Sequence, residues 1–130
     1  MRRINFRGYS ETLKEWKYGY HSVSEKEHFI GSDIGYGINE FISFESDLVA
    51  ELSVGQSTGL FSDDAIELYK GDIVKEKNGK TEYLIKYDRL RAGFVLAPLY
   101  DQTRVYNLEY AIGVQLKIIG NKYEIDNAKK

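Results

Sequence analysis

Two histidines carry the broadest chemistry in this 130-residue chain. His21 and His28 lie seven positions apart, with Glu25 and Glu27 between them. If a tight turn joins two strands here, the imidazoles can face each other and Glu25 can join them. A metal site needs three or four ligands converging at ~2 Å, and this spacing matches no metal-binding signature. We therefore expect two exposed imidazoles beside a charged turn, and we predict no metal site.

Neighbouring carboxylates offer a second source of chemistry. Asp63 and Asp64 are adjacent, and Asp72 follows Gly71. Carboxylate oxygens suit a hard divalent cation, but aspartate also stabilises turns by hydrogen bonding to its own backbone. We interpret all three as turn residues, because each stands between two strand-like segments.

Catalytic motifs are missing from the sequence. No serine stands in a nucleophile-elbow pattern, and Gly35-Tyr36-Gly37 lacks the third glycine and the strand–turn–helix context of a phosphate loop. The chain contains no cysteine, which excludes thiolate catalysis, disulfides and cysteine-ligated metals. We predict a protein that is not an enzyme, with no catalytic residues and no cofactor.

Nucleic-acid binding is the alternative function that the residue types allow. Tyr87, Arg89, Arg91 and Phe94 lie close together in the sequence, and single-strand binders combine a basic groove with stacking rings on a β-scaffold. The wider set of arginines and rings is Arg2, Arg3, Arg7, Tyr100, Arg104 and Tyr106. However, a net charge of −2 and a pI of about 5.7 differ from the basic footprint of such proteins. These rings also suit cross-strand pairs.

The charges are unevenly distributed along the chain. Residues 1–20 hold five basic and two acidic groups, residues 21–68 hold one and ten, and residues 69–130 hold twelve and eight. Two faces of opposite sign would follow if these blocks stay apart in the fold. The simpler interpretation is that the signs interleave.

Period-two alternation predicts strands along most of the chain. Strands at 4–8 and 13–23 form a predicted N-terminal hairpin. Thr58–Val74 has an extended entry, a polar turn, and a second turn at Gly71-Asp72 where Gly71 is expected to adopt a positive φ. Asn78-Gly79 predicts a hairpin whose central residues both have positive φ, with Thr81–Asp88 as the returning strand.

The remaining segments complete an all-β prediction. Further strands are expected at 94–97 and 114–120, a glycine-rich loop at 31–37 and a short helix at 45–52. About eight to ten short strands with frequent turns indicate a sandwich or partly closed barrel. We predict one domain over residues 1–124 and a flexible tail over 125–130. No apolar run approaches the ~20 residues that span a bilayer, so we expect no membrane contact and a cytoplasmic location.

Four blocks, in order, resemble the YopX-like family of small bacteriophage and prophage proteins. The blocks are Arg3-Ile4-Asn5-Phe6-Arg7, Gln56-Ser57-Thr58-Gly59-Leu60, Tyr69-Lys70-Gly71-Asp72-Ile73-Val74 and Ile118-Ile119-Gly120-Asn121-Lys122-Tyr123-Glu124. Tyr87-Asp88 followed by Gly93-Phe94 resembles the family's central hairpin. The ordered set covers nearly the whole chain.

The resemblance implies a fold and an origin but supplies no catalytic or binding residues. The implied fold is a β pseudobarrel or sandwich of two packed sheets joined by many short turns. We expect an accessory protein in the cytoplasm of a bacterial host. It would bind a host or phage protein without catalysis, with self-association as a further mode of assembly. Single-stranded nucleic acid, bound through Tyr87, Arg89, Arg91 and Phe94, is the alternative partner.

Overall fold

The computed structural model describes residues 5–36, 41–108 and 115–128. Antiparallel strands dominate these ranges. The strands are β1 (Phe6–Ser10), β2 (Glu15–Ser24), β3 (Glu27–Tyr36), β4 (Phe41–Val49), β5 (Gly55–Phe61), β6 (Glu67–Tyr69), β7 (Asp72–Glu76), β8 (Glu82–Asp88), β9 (Gly93–Pro98), β10 (Tyr106–Asn107) and β11 (Leu116–Asn121). A 3-10 turn covers Glu51–Ser53, and helix α1 covers Lys122–Ala128.

The strands form two antiparallel sheets. Their hydrogen-bonded orders are β4-β3-β2-β1-β5-β6 and β10-β9-β8-β7-β11. The predicted all-β class is confirmed. Within the described ranges both sheets are open, so these pairings do not close a barrel. No helix in those ranges has the length and apolar character needed to span a bilayer.

The chain divides into two compact units, residues 1–56 and 57–130, and β5 begins in the first and ends in the second. The single domain expected over residues 1–124 stays a prediction. In unit 1 the N-terminal hairpin is confirmed, with Arg7 opposite Tyr18. A Cβ atom at Gly8 would lie 2.7 Å from Cγ2 of Val49. Glycine therefore lets the side chain of Val49 pack directly against β1.

Two sequence predictions in unit 1 are wrong. Nine register pairs join β3 to β4, from His28 opposite Val49 to Tyr36 opposite Phe41. Residues 31–36 are therefore strand instead of glycine-rich loop, and residues 45–49 are strand instead of helix; Gly37 lies outside the described residues. The paired backbone satisfies its hydrogen bonds along the whole ladder, which outweighs the weak local preferences of these residues.

The positive-φ hairpin turn lies between β2 and β3. Only Glu25 and Lys26 separate the paired residues Ser24 and Glu27, and their φ angles are 50° and 70°. The turn predicted to have this geometry, Asn78-Gly79, has no positive φ. It belongs to the longer connection between β7 and β8.

Unit 2 has an apolar core on one face of its sheet. The buried members of the core are Leu68, Val74, Ile85, Leu96, Leu108 and Leu116. Residues 125–128, predicted as a flexible tail, belong to α1. The helix begins where the Oδ1 atom of Asn121 accepts the backbone N–H of Glu124 at 2.9 Å, which satisfies a donor that would otherwise lack a partner.

Candidate functional site

The two histidines meet on one face of unit 1. His21 lies on β2 opposite Ile30, and His28 lies on β3 opposite Val23. Because side chains alternate along a strand, His21 and Val23 project to the same face, and so does His28. The Nε2 atom of His21 is 2.8 Å from the Nδ1 atom of His28. Both imidazoles are half-buried and face each other. The expectation of two exposed imidazoles is therefore wrong.

The two rings lie end to end. Their planes are within 7° of parallel and their centroids are 5.1 Å apart. A face-to-face stack would separate the planes by ~3.5 Å, which exceeds the 2.8 Å between the two nitrogens. The hydrogen bond therefore runs close to the ring planes, a favourable direction for an imidazole N–H and an imidazole lone pair. One nitrogen donates and the other accepts.

A carboxylate faces the other nitrogen of His28. The Nε2 atom of His28 is 3.6 Å from the Oε1 atom of Glu51 in the 3-10 turn. That negative charge favours a proton on Nε2 of neutral His28. The Nδ1 atom is then free to accept the Nε2–H of His21. The carboxylate of Glu51, the ring of His28 and the ring of His21 thus form a continuous series of contacts.

Burial and charge act together on His21. Removal from water lowers the pKa of His21 below its usual value, and the neighbouring His28 lowers it further. Burial penalises the imidazolium, and a like charge on the partner adds to that penalty. Neutral His21 is therefore the form that the fold favours.

An open groove of about 280 Å³ lies beside this pair. Its lining combines acidic, basic and apolar residues: Glu11, Thr12, Lys26, Glu27, His28, Leu48, Val49, Ala50 and Glu51. Within the described residues, no three His, Cys, Asp or Glu side chains converge as a metal centre requires. The groove therefore offers charge and a titratable ring, without a ligand set for a metal.

The four proposed nucleic-acid residues come together at one end of the β8–β9 hairpin. Tyr87 lies opposite Phe94, with their rings 5.4 Å apart at 78°. Arg91 is partly neutralised, because its Nε lies 3.5 Å from Asp88 Oδ2. Its guanidinium also donates to Asn107 Oδ1 at 3.3 Å. Arg89, in the intervening turn, is exposed.

Asp63 and Asp64 lie in a turn, as we interpreted them, and Asp72 begins β7 directly after the turn at Gly71. Asp72 is 1% exposed, and its Oδ2 accepts the backbone N–H of Tyr69 at 2.8 Å. Asp63 lies in the turn between β5 and β6, where its Oδ2 is 4.0 Å from the Lys77 ammonium. Asp72 therefore fixes the geometry of the turn before β7.

An exposed aromatic surface was missed by the sequence analysis. Tyr18 and Tyr20 project from one face of β2, where 53% and 46% of each residue is exposed. On the same face, Phe29 lies opposite Ser22 and Leu48 lies opposite Phe29. Alternation on β2 could have revealed that the tyrosines share a face, but not that both rings would be exposed. We call Tyr18, Tyr20, Phe29 and Leu48 the tyrosine face.

The family model described as YopX protein matches residues 5–127 of the chain. The chain belongs to the YopX family. No curated protein matches it. The predicted family membership is confirmed across almost the whole length of the chain.

Residues that carry the YopX resemblance shape the backbone. Thr58 Oγ1 donates to the carbonyl of Leu68 at 2.9 Å and accepts the N–H of Leu60 at 3.1 Å. Ser57 Oγ donates to the carboxylate of Glu67. These bonds hold an irregular stretch of β5 whose register shifts between Ser57 and Phe61. The motif of this YopX-family chain therefore stabilises a strand irregularity.

Proposed function

We propose that this YopX-family protein is a non-enzymatic binding module that binds another protein through the tyrosine face. The exposure of Tyr18 and Tyr20, side by side on one sheet face, carries the proposal. Tyrosine is enriched in protein interfaces and at their energetic centres, because a large rigid ring buries apolar area while its hydroxyl keeps a polar contact.

The shape of the tyrosine face suits a protein surface. The two tyrosines are two residues apart on β2, a separation of roughly 6.8 Å at the rise of an antiparallel strand. Leu48, 46% exposed, extends the face across β3 to β4 beside Phe29. The surface is therefore a stripe that crosses three strands and combines aromatic with aliphatic side chains.

Charge favours a protein partner with basic residues around its contact area. Residues 1–56 contain six basic and nine acidic side chains. A unit with this negative net charge repels the phosphates of a nucleic acid, whose binding depends on lysine and arginine. It attracts lysine and arginine on a protein, which accelerates association and selects among partners.

Origin and location belong to the same proposal. The YopX match and the resemblance to phage and prophage proteins support a role in a bacterial host. A chain without cysteine has no need of an oxidising compartment. We infer a phage or prophage accessory protein that acts in the bacterial cytoplasm on a host or phage protein.

Nucleic-acid binding at the β8–β9 hairpin is the second candidate. The observation in its favour is the Tyr87–Phe94 pair, with Tyr87 45% exposed beside the exposed Arg89. Stacking on such rings contributes ~1–3 kcal/mol per base in single-strand binders. The ion pair between Arg91 and Asp88 weakens this candidate because it removes part of the positive charge.

Site-specific photo-crosslinking in bacterial cells distinguishes these functions. A photoreactive phenylalanine analogue replaces Tyr20 in the tyrosine face, Tyr87 in the alternative site, or Tyr100 as an exposed control. We expect a protease-sensitive adduct to a different protein from position 20 and none from position 100. A nuclease-sensitive adduct from position 87 alone would establish the second candidate instead. An adduct between two copies of this chain, or no adduct at position 20, would overturn the proposed partner.

A further inference from the structure

We propose that Glu51, His28 and His21 form a proton-operated latch, which holds the end of the β2–β3 hairpin closed until both histidines are protonated. The latch is independent of the proposed protein partner. It rests on the end-to-end hydrogen bond between the two rings and on the carboxylate at the far nitrogen of His28.

The number of protons on the four ring nitrogens explains why the second added proton, which is the fourth in total, opens the latch. The neutral pair holds two protons, one between the rings and one on an outer nitrogen. A third proton occupies the remaining outer nitrogen, so the bond between the rings survives and becomes charge-assisted. A fourth proton has no site except the inner nitrogens. Two N–H groups would then face each other across 2.8 Å, and the rings must separate.

Glu51 decides where the first positive charge lies. When the shared proton belongs to His28, the imidazolium stands between the Glu51 carboxylate and the accepting nitrogen of His21. The second charge then falls on His21. Burial and the neighbouring His28 already lower the pKa of His21. Opening is therefore expected below the ordinary titration range of a single histidine, about pH 6.5.

Several charged groups lie around the two histidines. The groove brings Glu51 from the 3-10 turn, Glu11 from the β1–β2 turn, Lys26 from the β2–β3 turn and Glu27 from the start of β3 beside His28. Asp47 of β4 shares a row with Ile30 and His21 and lies 3.5 Å from the Lys17 ammonium. Lys17 also pairs with Glu15, and Phe6 of β1 presents an uncharged ring 5.4 Å from His21. Carboxylates therefore outnumber ammonium groups among these neighbours.

Backbone geometry makes the hairpin end responsive to the latch. Glu25 and Lys26 both adopt left-handed φ angles, a conformation that favours glycine or asparagine. The histidine bond joins β2 and β3 close to this turn, with only Ser22, Val23 and Ser24 between His21 and Glu25. Loss of the bond therefore removes a restraint beside a strained turn. We expect Glu25 and Lys26 to respond at the same pH at which the rings separate.

Nitrogen-detected NMR of the full chain tests the latch directly. We expect two separate protonation steps on lowering the pH from 8 to 4. Scalar coupling between His21 Nε2 and His28 Nδ1 should persist through the first step and vanish at the second. The amide resonances of Glu25 and Lys26 should move with the second step only. Independent titration of the two rings, or coupling that is absent at pH 8, would overturn the proposal.

Two variants separate the latch from a general response to acid. H28Q removes the ring whose Nδ1–H would face the Nε2–H of His21 in the doubly protonated pair. The low-pH movement of the Glu25 and Lys26 amide resonances should therefore disappear. K17Q changes a charge near the pair without touching the hydrogen bond, so both steps should remain. Movement that persists in H28Q would contradict the latch. If H28Q does not fold, the coupling and the two steps in the unsubstituted protein still decide the question.

Discussion

The backbone N–H of Gly71 donates to the carbonyl oxygen of Ile85 at 2.9 Å, and this bond ties the turn before β7 to the middle of β8. The carbonyl oxygen of Gly71 accepts the N–H of Lys122 at 2.8 Å, at the start of α1. With a φ of 98°, Gly71 satisfies both of its backbone groups in a conformation that other residues rarely adopt. The turn, β8 and α1 in unit 2 therefore depend on one glycine.

Gly71→Val is expected to lower the free energy of unfolding by about 2–3 kcal/mol. A β-branched residue is strained at this φ, and any shift of the backbone weakens both hydrogen bonds. Urea denaturation followed by tryptophan fluorescence or circular dichroism measures the loss. Gly93→Val is the matched control. Gly93 has no positive φ, and an added Cβ would meet only the Arg91 carbonyl oxygen at 3.8 Å. Equal losses in the two variants would contradict the role of φ at Gly71.

Local patterns predicted the fold where turn chemistry and alternation agree. Gly71 has the expected positive φ, and β8 covers Glu82–Asp88 where a strand over Thr81–Asp88 was predicted. Residues 45–49 were wrongly predicted as helix because their apolar spacing also fits a helix. They are strand because they pair with β3 along a long ladder. Pairing between distant segments is not encoded in local periodicity.

The candidate site was partly visible in the sequence. Two residues seven positions apart, with a two-residue turn between them, lie on the same face of neighbouring strands. They are offset by two residues from direct opposition, as His21 and His28 are. The turn itself was hidden because Glu25-Lys26 lacks the glycine or asparagine that marks such turns. Glu51 comes from a distant segment, and only the tertiary fold brings it to His28.

Replacing the strained turn should stabilise the protein. The double variant Glu25→Asn with Lys26→Gly supplies residues suited to φ angles of 50° and 70°. We expect an increase of about 1 kcal/mol in the free energy of unfolding, because relief of left-handed strain exceeds the entropy cost of the added glycine. Lys77→Gly is the control at a turn residue without positive φ, where no gain is expected. The measurement is the denaturation midpoint of the unsubstituted protein, the double variant and Lys77→Gly. A larger increase for Lys77→Gly than for the double variant would contradict the prediction.

The stability of the protein should fall as the pH drops below about 6.5. The pKa of His21 is lowered in the folded protein, so the unfolded chain binds the proton first as the solution becomes acidic. Stability from this group is complete above the unfolded pKa and is lost as the pH falls toward the lower folded pKa. Urea midpoints between pH 8 and pH 4.5 measure the slope. His21→Gln should flatten this part of the profile, and an unchanged slope would contradict the assignment to His21.

Removal of the two exposed rings should separate binding from stability. Tyr18→Ser with Tyr20→Ser changes side chains that are about half exposed, so we expect the free energy of unfolding to change by no more than about 1 kcal/mol. Affinity for the protein captured from position 20 should fall at least about tenfold, since tyrosine is enriched among the few interface residues whose truncation costs the most binding free energy. Titration calorimetry measures the affinity, and Tyr100→Ser, another exposed tyrosine, should bind as the unsubstituted protein does. A double variant that binds normally would contradict a binding role for the tyrosine face, and a collapsed denaturation midpoint would contradict the small stability change expected at these positions.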